Sequence, residues 1–354
     1  MPFQNQVQTI KLKPCLRALL WVFGFSLSYI GITCFITYVI LDCRQIVFDK
    51  YIGVSSVIYL FLFFGFLYFY PVYVMVFIRP DRLFKEIARG YSRHLLRTDR
   101  LIFSIPVIII IPIVYSVYSS FKRLIPEIHY FQFDAVFCSI DRSLFVGVAP
   151  WQLLQPIIGY PWVTVAVDWL YHDVWLYMLL LMVLWHAQGK HSLKIRVRFF
   201  VSYILVWAII GNLLAVLMSS AGPCYFDRIT GLVSPYKPLF DYLQKINNYN
   251  TLSSLVLQEK LWSGFAHNYF DYGGGISAMP SLHVATSTLF ALSARNISPL
   301  LSKLLFIYAS IVLIGSVHLG WHYAVDGLFS VPCTILIWCG VGRMLNRDSL
   351  LKHI

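Results

Sequence analysis

The sequence predicts an all-α, polytopic membrane helix bundle with about eight transmembrane helices. Three observations carry this. Only 12% of the 354 residues are charged and 58% are hydrophobic, whereas soluble domains carry roughly 25% charged residues. Mean hydropathy is +0.69. Apolar runs of about 20 residues, the length that crosses a bilayer as a helix, recur along the chain, and Lys and Arg gather in every second connection between them.

The runs fall near residues 18–41, 53–78, 101–118, 162–187, 199–218, 282–294, 304–319 and 325–344. The sixth and seventh are short for a full crossing, so their starts are expected to extend into the neighbouring segments. No connection is long enough for a soluble domain. Segment 119–160 mixes apolar positions (Leu124, Ile128, Phe131, Phe137, Ile140, Leu144) with polar ones. Amphipathic interfacial helices and an ordinary packed loop both suit it. Segment 219–281 is the second long connection.

The formal charge of +12 does not point to nucleic acid. The cations sit in short loops at 11–17, 79–100, 190–198, 295–303 and 343–352, outnumbering those in the alternate loops by about two to one, as expected of cytoplasmic loops. Both termini are then inside, and the two motifs described next open on the non-cytoplasmic face. No cleavable signal peptide is expected, because the first apolar run is too long. The lack of a long tail favours a bacterial inner membrane. Seven scattered cysteines form no C-x-x-C pair, which removes zinc-finger and thioredoxin-type readings. Two of Cys43, Cys138 and Cys224 could pair in outer loops.

Met279-Pro280-Ser281-Leu282-His283 and His318-Leu319-Gly320-Trp321-His322-Tyr323-Ala324-Val325-Asp326 each border an apolar run. Ionisable groups there are costly and usually functional. On a helix, His322 and Asp326 would share a face. The carboxylate would fix the imidazole tautomer and stabilise an imidazolium, leaving His322 as a nucleophile. His283 would protonate the leaving group. Pro280 and Ser281 read as a helix start with Ser281 as N-cap, where free N–H groups receive an anion. His318, His322 and Asp326 recur every four residues, a spacing that also suits a metal, but with a single H-x-x-x-H pair a phosphate contact by His318 is the better reading and no metal is expected. Asp168, His172 and Asp173 form a further polar cluster, read as an interhelical network in preference to site lining. Gly273-Gly274-Gly275 reads as a hinge or tight turn.

These residues resemble the type 2 phosphatidic acid phosphatase superfamily, whose second signature is Pro-Ser-x-His and whose third ends His-x-x-x-Asp. Here they read Pro280-Ser281-Leu282-His283 and His322-Tyr323-Ala324-Val325-Asp326. The flanking residues are most similar to the branch containing inositol phosphorylceramide synthase. The resemblance implies a six-helix phosphatase-type core over 101–354, with residues 1–100 supplying two added helices and a basic loop. It implies His322 as the nucleophile forming a phosphohistidine, Asp326 as its orienting partner, His283 as general acid, and no metal or cofactor. Two departures from the phosphatase pattern stand out. The Ser-Arg that should precede the third-signature histidine is Gly315-Ser316, and no Lys-x6-Arg-Pro matches near 219–228. A dianionic phosphomonoester needs several cations, so their loss suggests a phosphodiester. Arg228, Lys237 and His318 are the candidate replacements, with Ser281 beside them. The expected partners are a membrane phospholipid donor and a lipid alcohol acceptor. The alternatives are a lipid phosphate or polyprenyl pyrophosphate phosphatase and, in another class, a proton-coupled transporter or flippase.

Overall fold

The computed structural model describes residues 2–41, 46–95, 98–189, 191–267 and 274–348. Cys43 and Gly273 lie outside these. Among the described residues there are fourteen helices and no strand. In chain order they are α1 (membrane-length part Lys13–Ile40), α2 (Ile52–Ile78), α3 (Leu83–Leu95), α4 (Thr98–Ile128), α5 (Asp134–Leu144), α6 (Pro150–Ile158), α7 (Pro161–Gln188), α8 (Leu193–Leu217), α9 (Phe226–Thr230), α10 (Lys237–Asn247), α11 (Ser253–Ala266), α12 (Leu282–Ala294), α13 (Pro299–His318) and α14 (Ala324–Asn346). Seven are long and apolar enough to cross a membrane, and α12 is a shorter apolar helix. The chain is an integral membrane helical bundle.

Helix boundaries follow local chemistry. The seventh apolar run begins at Pro299, five residues before its apolar stretch, because the Ser298 hydroxyl accepts the Leu301 N–H at 3.3 Å and proline occupies the first helical position. The fifth starts early for a related reason, with Ser192 accepting the Ile195 N–H. The sixth does not extend, since residues 274–281 are non-helical. The largest correction concerns α4, which runs ten residues past the expected end at 118. The apolar run stops at Ser119-Ser120, but Phe121, Leu124 and Ile125 recur at helical spacing and are buried, so an amphipathic pattern continues the helix.

One core joins α1, α4, α8 and α12 through Ala18, Val22, Phe103, Val107, Phe200, Tyr203, Leu289 and Phe290. Helix α1 is therefore packed into the bundle, whereas α2 is mostly exposed and carries bare Phe61, Phe64 and Phe69. A second core lies at the motif end, around Phe137, Trp151, Tyr171, Tyr236 and Tyr323. Segment 119–160 resolves into the end of α4 and two amphipathic helices. In α5 the buried face is Asp134, Phe137, Cys138 and Asp141, and the opposite face shows Val136, Ile140 and Leu144. Cys138 and Cys224 are both free thiols.

Candidate active site

Helix α13 ends at His318 in a left-handed turn. Gly320 has φ +71, the Trp321 N–H returns to the Ser316 carbonyl at 3.0 Å, and the His322 N–H reaches the same oxygen at 3.1 Å. A Cβ on Gly320 would stand 2.5 Å from the Phe240 ring, so both the turn and the close approach require glycine. The turn breaks the four-residue repeat of the sequence. His318 and His322 do not share a helix face.

Beyond the turn, Asp326 occupies the third position of α14. Its Oδ2 accepts the Tyr323 N–H at 3.2 Å, the backward half of a capping box, and lies 3.1 Å from His322 Nδ1. Asp326 is fully buried and its Oδ1 has no partner. With Nδ1 turned to the carboxylate, the ring also reaches the Ala278 backbone. Burial, with the Lys122 ammonium nearby, holds the His322 imidazole well below the usual histidine range and therefore neutral.

His283 lies in the first turn of α12, within electrostatic reach of His322. Its ring is sandwiched between Tyr171 at 4.4 Å and Trp175 at 3.8 Å. Both come from α7 around a wider π turn at Leu170–Val174, and Trp175 is fixed by donating to Thr286 Oγ1 at 3.0 Å. The ring plane of His283 is thus set by packing. Ser281 stands at the N-cap position of α12, but its hydroxyl makes no cap bond; it is buried and unpartnered. Its role as a cap is a correction. Its N–H faces the Asp326 backbone carbonyl at 3.5 Å.

The loops carrying the motifs are stitched together by carboxylates on other helices. Asp134 accepts the Ala221 and Gly222 N–H groups at 2.9 and 2.8 Å and the Tyr323 hydroxyl at 2.8 Å. Asp141, two turns along the same face of α5, accepts the Ala324 and Val325 N–H groups at 2.7 and 2.9 Å and so caps α14 from outside. Burial pushes both carboxyls up in pKa, while these donors oppose the shift. Asp141→Ala leaves two buried N–H groups without an acceptor and should cost roughly 2 kcal/mol, read as a lower thermal unfolding transition of the purified protein. Asp141→Asn retains one acceptor and should cost about half as much.

The Asp168 cluster proves to be an interhelical network. Asp168 accepts the Ser253 and Ser254 N–H groups at the start of α11, His172 Nε2 meets Ser254 Oγ at 2.9 Å, and Trp321 Nε1 donates to the same hydroxyl at 3.1 Å. It fixes Trp321, next to His322.

The expected phosphate contacts mostly lie elsewhere. His318 is buried, with Nε2 2.9 Å from Thr164 Oγ1, in a group with Tyr242 that faces α7 and α10. Arg228 is exposed, pairing with Glu259 at 3.2 Å and covering the Trp262 ring. Lys237 is exposed and pairs with Asp241 at 3.3 Å. Exposed surface cations find nearby carboxylates more readily than they reach a buried site. Ser316, at the position of the expected arginine, is fully buried and uses its carbonyl to hold the His322 backbone.

The cation the structure does bring to the histidines is Lys122, on the unforeseen extension of α4. Its charge bears on both His283 and His322. Gly275 explains how it arrives there. Its φ is +93, and a Cβ on it would lie 2.8 Å from the Lys122 carbonyl carbon and the Arg123 nitrogen, so the strand of chain leading to Pro280 is pressed directly on the turn that presents Lys122.

Fold and site together define a helical membrane protein with a buried histidine–carboxylate pair that has a second histidine and a lysine within electrostatic reach. A model of the PAP2 superfamily matches residues 136–340, more than half of the chain, and the chain belongs to that superfamily. Membership supports lipid chemistry of the phosphatase or phosphotransferase type. Neither curated proteins nor solved structures gave a significant match.

Proposed function

We propose that the protein is a membrane phosphotransferase that moves a phospho-headgroup from a phospholipid to a lipid alcohol through a phosphohistidine on His322. The observation that carries this reading is the charge of the site. The place of a phosphatase arginine is taken by buried Ser316, and Lys122 is a cation within electrostatic reach of both histidines. A phosphodiester carries one negative charge and is matched by one cation, whereas a phosphomonoester dianion calls for several.

In this scheme neutral His322 attacks phosphorus through Nε2. The N–P bond forms and the P–O bond to the lipid alkoxide breaks, and His283, taking up a proton as the anionic substrate binds beside it, passes that proton to the departing oxygen. Asp326 holds the Nδ1–H and stabilises the positive ring. The acceptor hydroxyl then gives its proton to His283 and attacks phosphorus, the N–P bond breaks, and His322 returns to its neutral form. Lys122 meets the charge on the equatorial oxygens, beside the unpartnered Ser281 hydroxyl. The reaction is placed on the non-cytoplasmic face, supported by the basic connections gathering at the other end of the bundle.

The test supplies purified protein in detergent with a phospholipid labelled in its headgroup phosphate and a lipid alcohol acceptor. The label is expected on the acceptor lipid. Inorganic phosphate released from phosphatidic acid, with no transfer, would establish a phosphatase instead.

A further inference from the structure

At the end of the bundle opposite the histidines, a cavity of about 480 Å³ opens between the start of α8, the turn joining α12 to α13, and the end of α14. Its lining includes Lys194, Arg198, Arg343, Asn296 and Asn346, and no carboxylate. Lys194 and Arg198 stand four apart on α8, an arrangement that repels, and Arg343 faces them from α14. Among the described residues none of the three pairs with an acid. This contrasts with Arg228 and Lys237 at the motif end, each of which has its carboxylate.

Arg198 is built into place. Its Nε and Nη2 donate to the Trp338 carbonyl at 3.2 and 2.9 Å, and its guanidinium lies 3.9 Å from the Trp338 ring centroid. Gly342 leaves the space, since a Cβ there would stand 2.6 Å from Arg198 Nη2. Three cations around a hollow with amide side chains in its lining, and with no counter-charge among the described residues, make a receptor for a phosphate group. The volume is that of a ligand pocket. Below the rim, α14 presents Leu336, 70% exposed, and Ile335, an apolar track on which acyl chains can lie.

We propose that this pocket binds the phosphate headgroup of an anionic phospholipid from the leaflet opposite the histidine site. A basic pocket between transmembrane helices is the form such sites take, and the pocket is independent of the chemistry assigned to His322.

The test is native mass spectrometry of the full chain in detergent, titrated with phosphatidylglycerol or phosphatidylcholine. Wild type and His322→Ala should both retain one phosphatidylglycerol that phosphatidylcholine does not replace. Lys194→Gln with Arg343→Gln should weaken that binding by about 25-fold, at roughly fivefold per cation, while an unchanged melting transition shows the variant folded. Arg343→Gln alone provides the intermediate value. Equal retention of phosphatidylglycerol by the double variant would overturn the proposal. So would equal retention of phosphatidylcholine, and displacement of the lipid by excess inorganic phosphate would assign the pocket to free phosphate.

Discussion

His322→Ala is expected to lower headgroup transfer by roughly 10⁴-fold or more, the scale on which removing a nucleophile acts when its partners work as a unit. The variant should remain folded. The His322 main chain, through its N–H to the Ser316 carbonyl, holds the turn, while the side chain meets the Asp326 carboxylate and the Ala278 backbone. Asp326→Asn should cost less, about 10²–10⁴-fold, because the amide can keep the ring in place but stabilises neither the tautomer nor the positive intermediate. Adding the second loss to the first should change little, since both variants disable the same step. A steady-state assay on the single and double variants reads this directly.

Lys122→Met is expected to lower transfer by about 10²–10³-fold, the usual effect of removing one preorganised charge from a transition state. Methionine keeps the length and apolar stem of the side chain, so α4 should pack as before. Lys122→Arg should recover part of the loss, because the charge remains but its geometry changes. The decisive contrast is with Arg228→Gln and Lys237→Gln. Both are exposed and already paired with carboxylates, and exposed pairs contribute little, so each should change turnover less than about threefold. If either exposed variant proved as damaging as Lys122→Met, the placement of the phosphate beside α4 would be wrong.

The sequence made the membrane bundle legible because long apolar runs between basic loops have few other physical meanings. The runs at 162–187 and 282–294 match α7 and α12 within a residue. The pairing of His322 with Asp326 was also legible, although for a reason that differs from the structure. A helix through both residues was expected. Instead His322 precedes α14, and Asp326 reaches back from its third position, so the contact survives the change of backbone.

What was not legible depended on long-range contact. Lys122 looked like a loop cation because Ser119-Ser120 interrupts hydropathy, yet buried Phe121, Leu124 and Ile125 carry the helix on. Asp134 and Asp141 left a usable signal, two acids seven residues apart on the apolar face of an amphipathic segment. Their partners, at 221–222 and 323–325, lie more than 80 residues away. His318 misled for the opposite reason. Its spacing was right for a shared face, but Gly320 turned the chain before the spacing could act.

The proposed mechanism stands or falls on covalent labelling of His322. Wild-type protein turning over a headgroup-labelled phospholipid would be quenched in alkali, digested and sequenced by mass spectrometry. The expected result is an acid-labile phospho-adduct on the peptide containing His322, missing from His322→Ala. An active enzyme that carries no adduct, or an adduct that persists in His322→Ala, would contradict it.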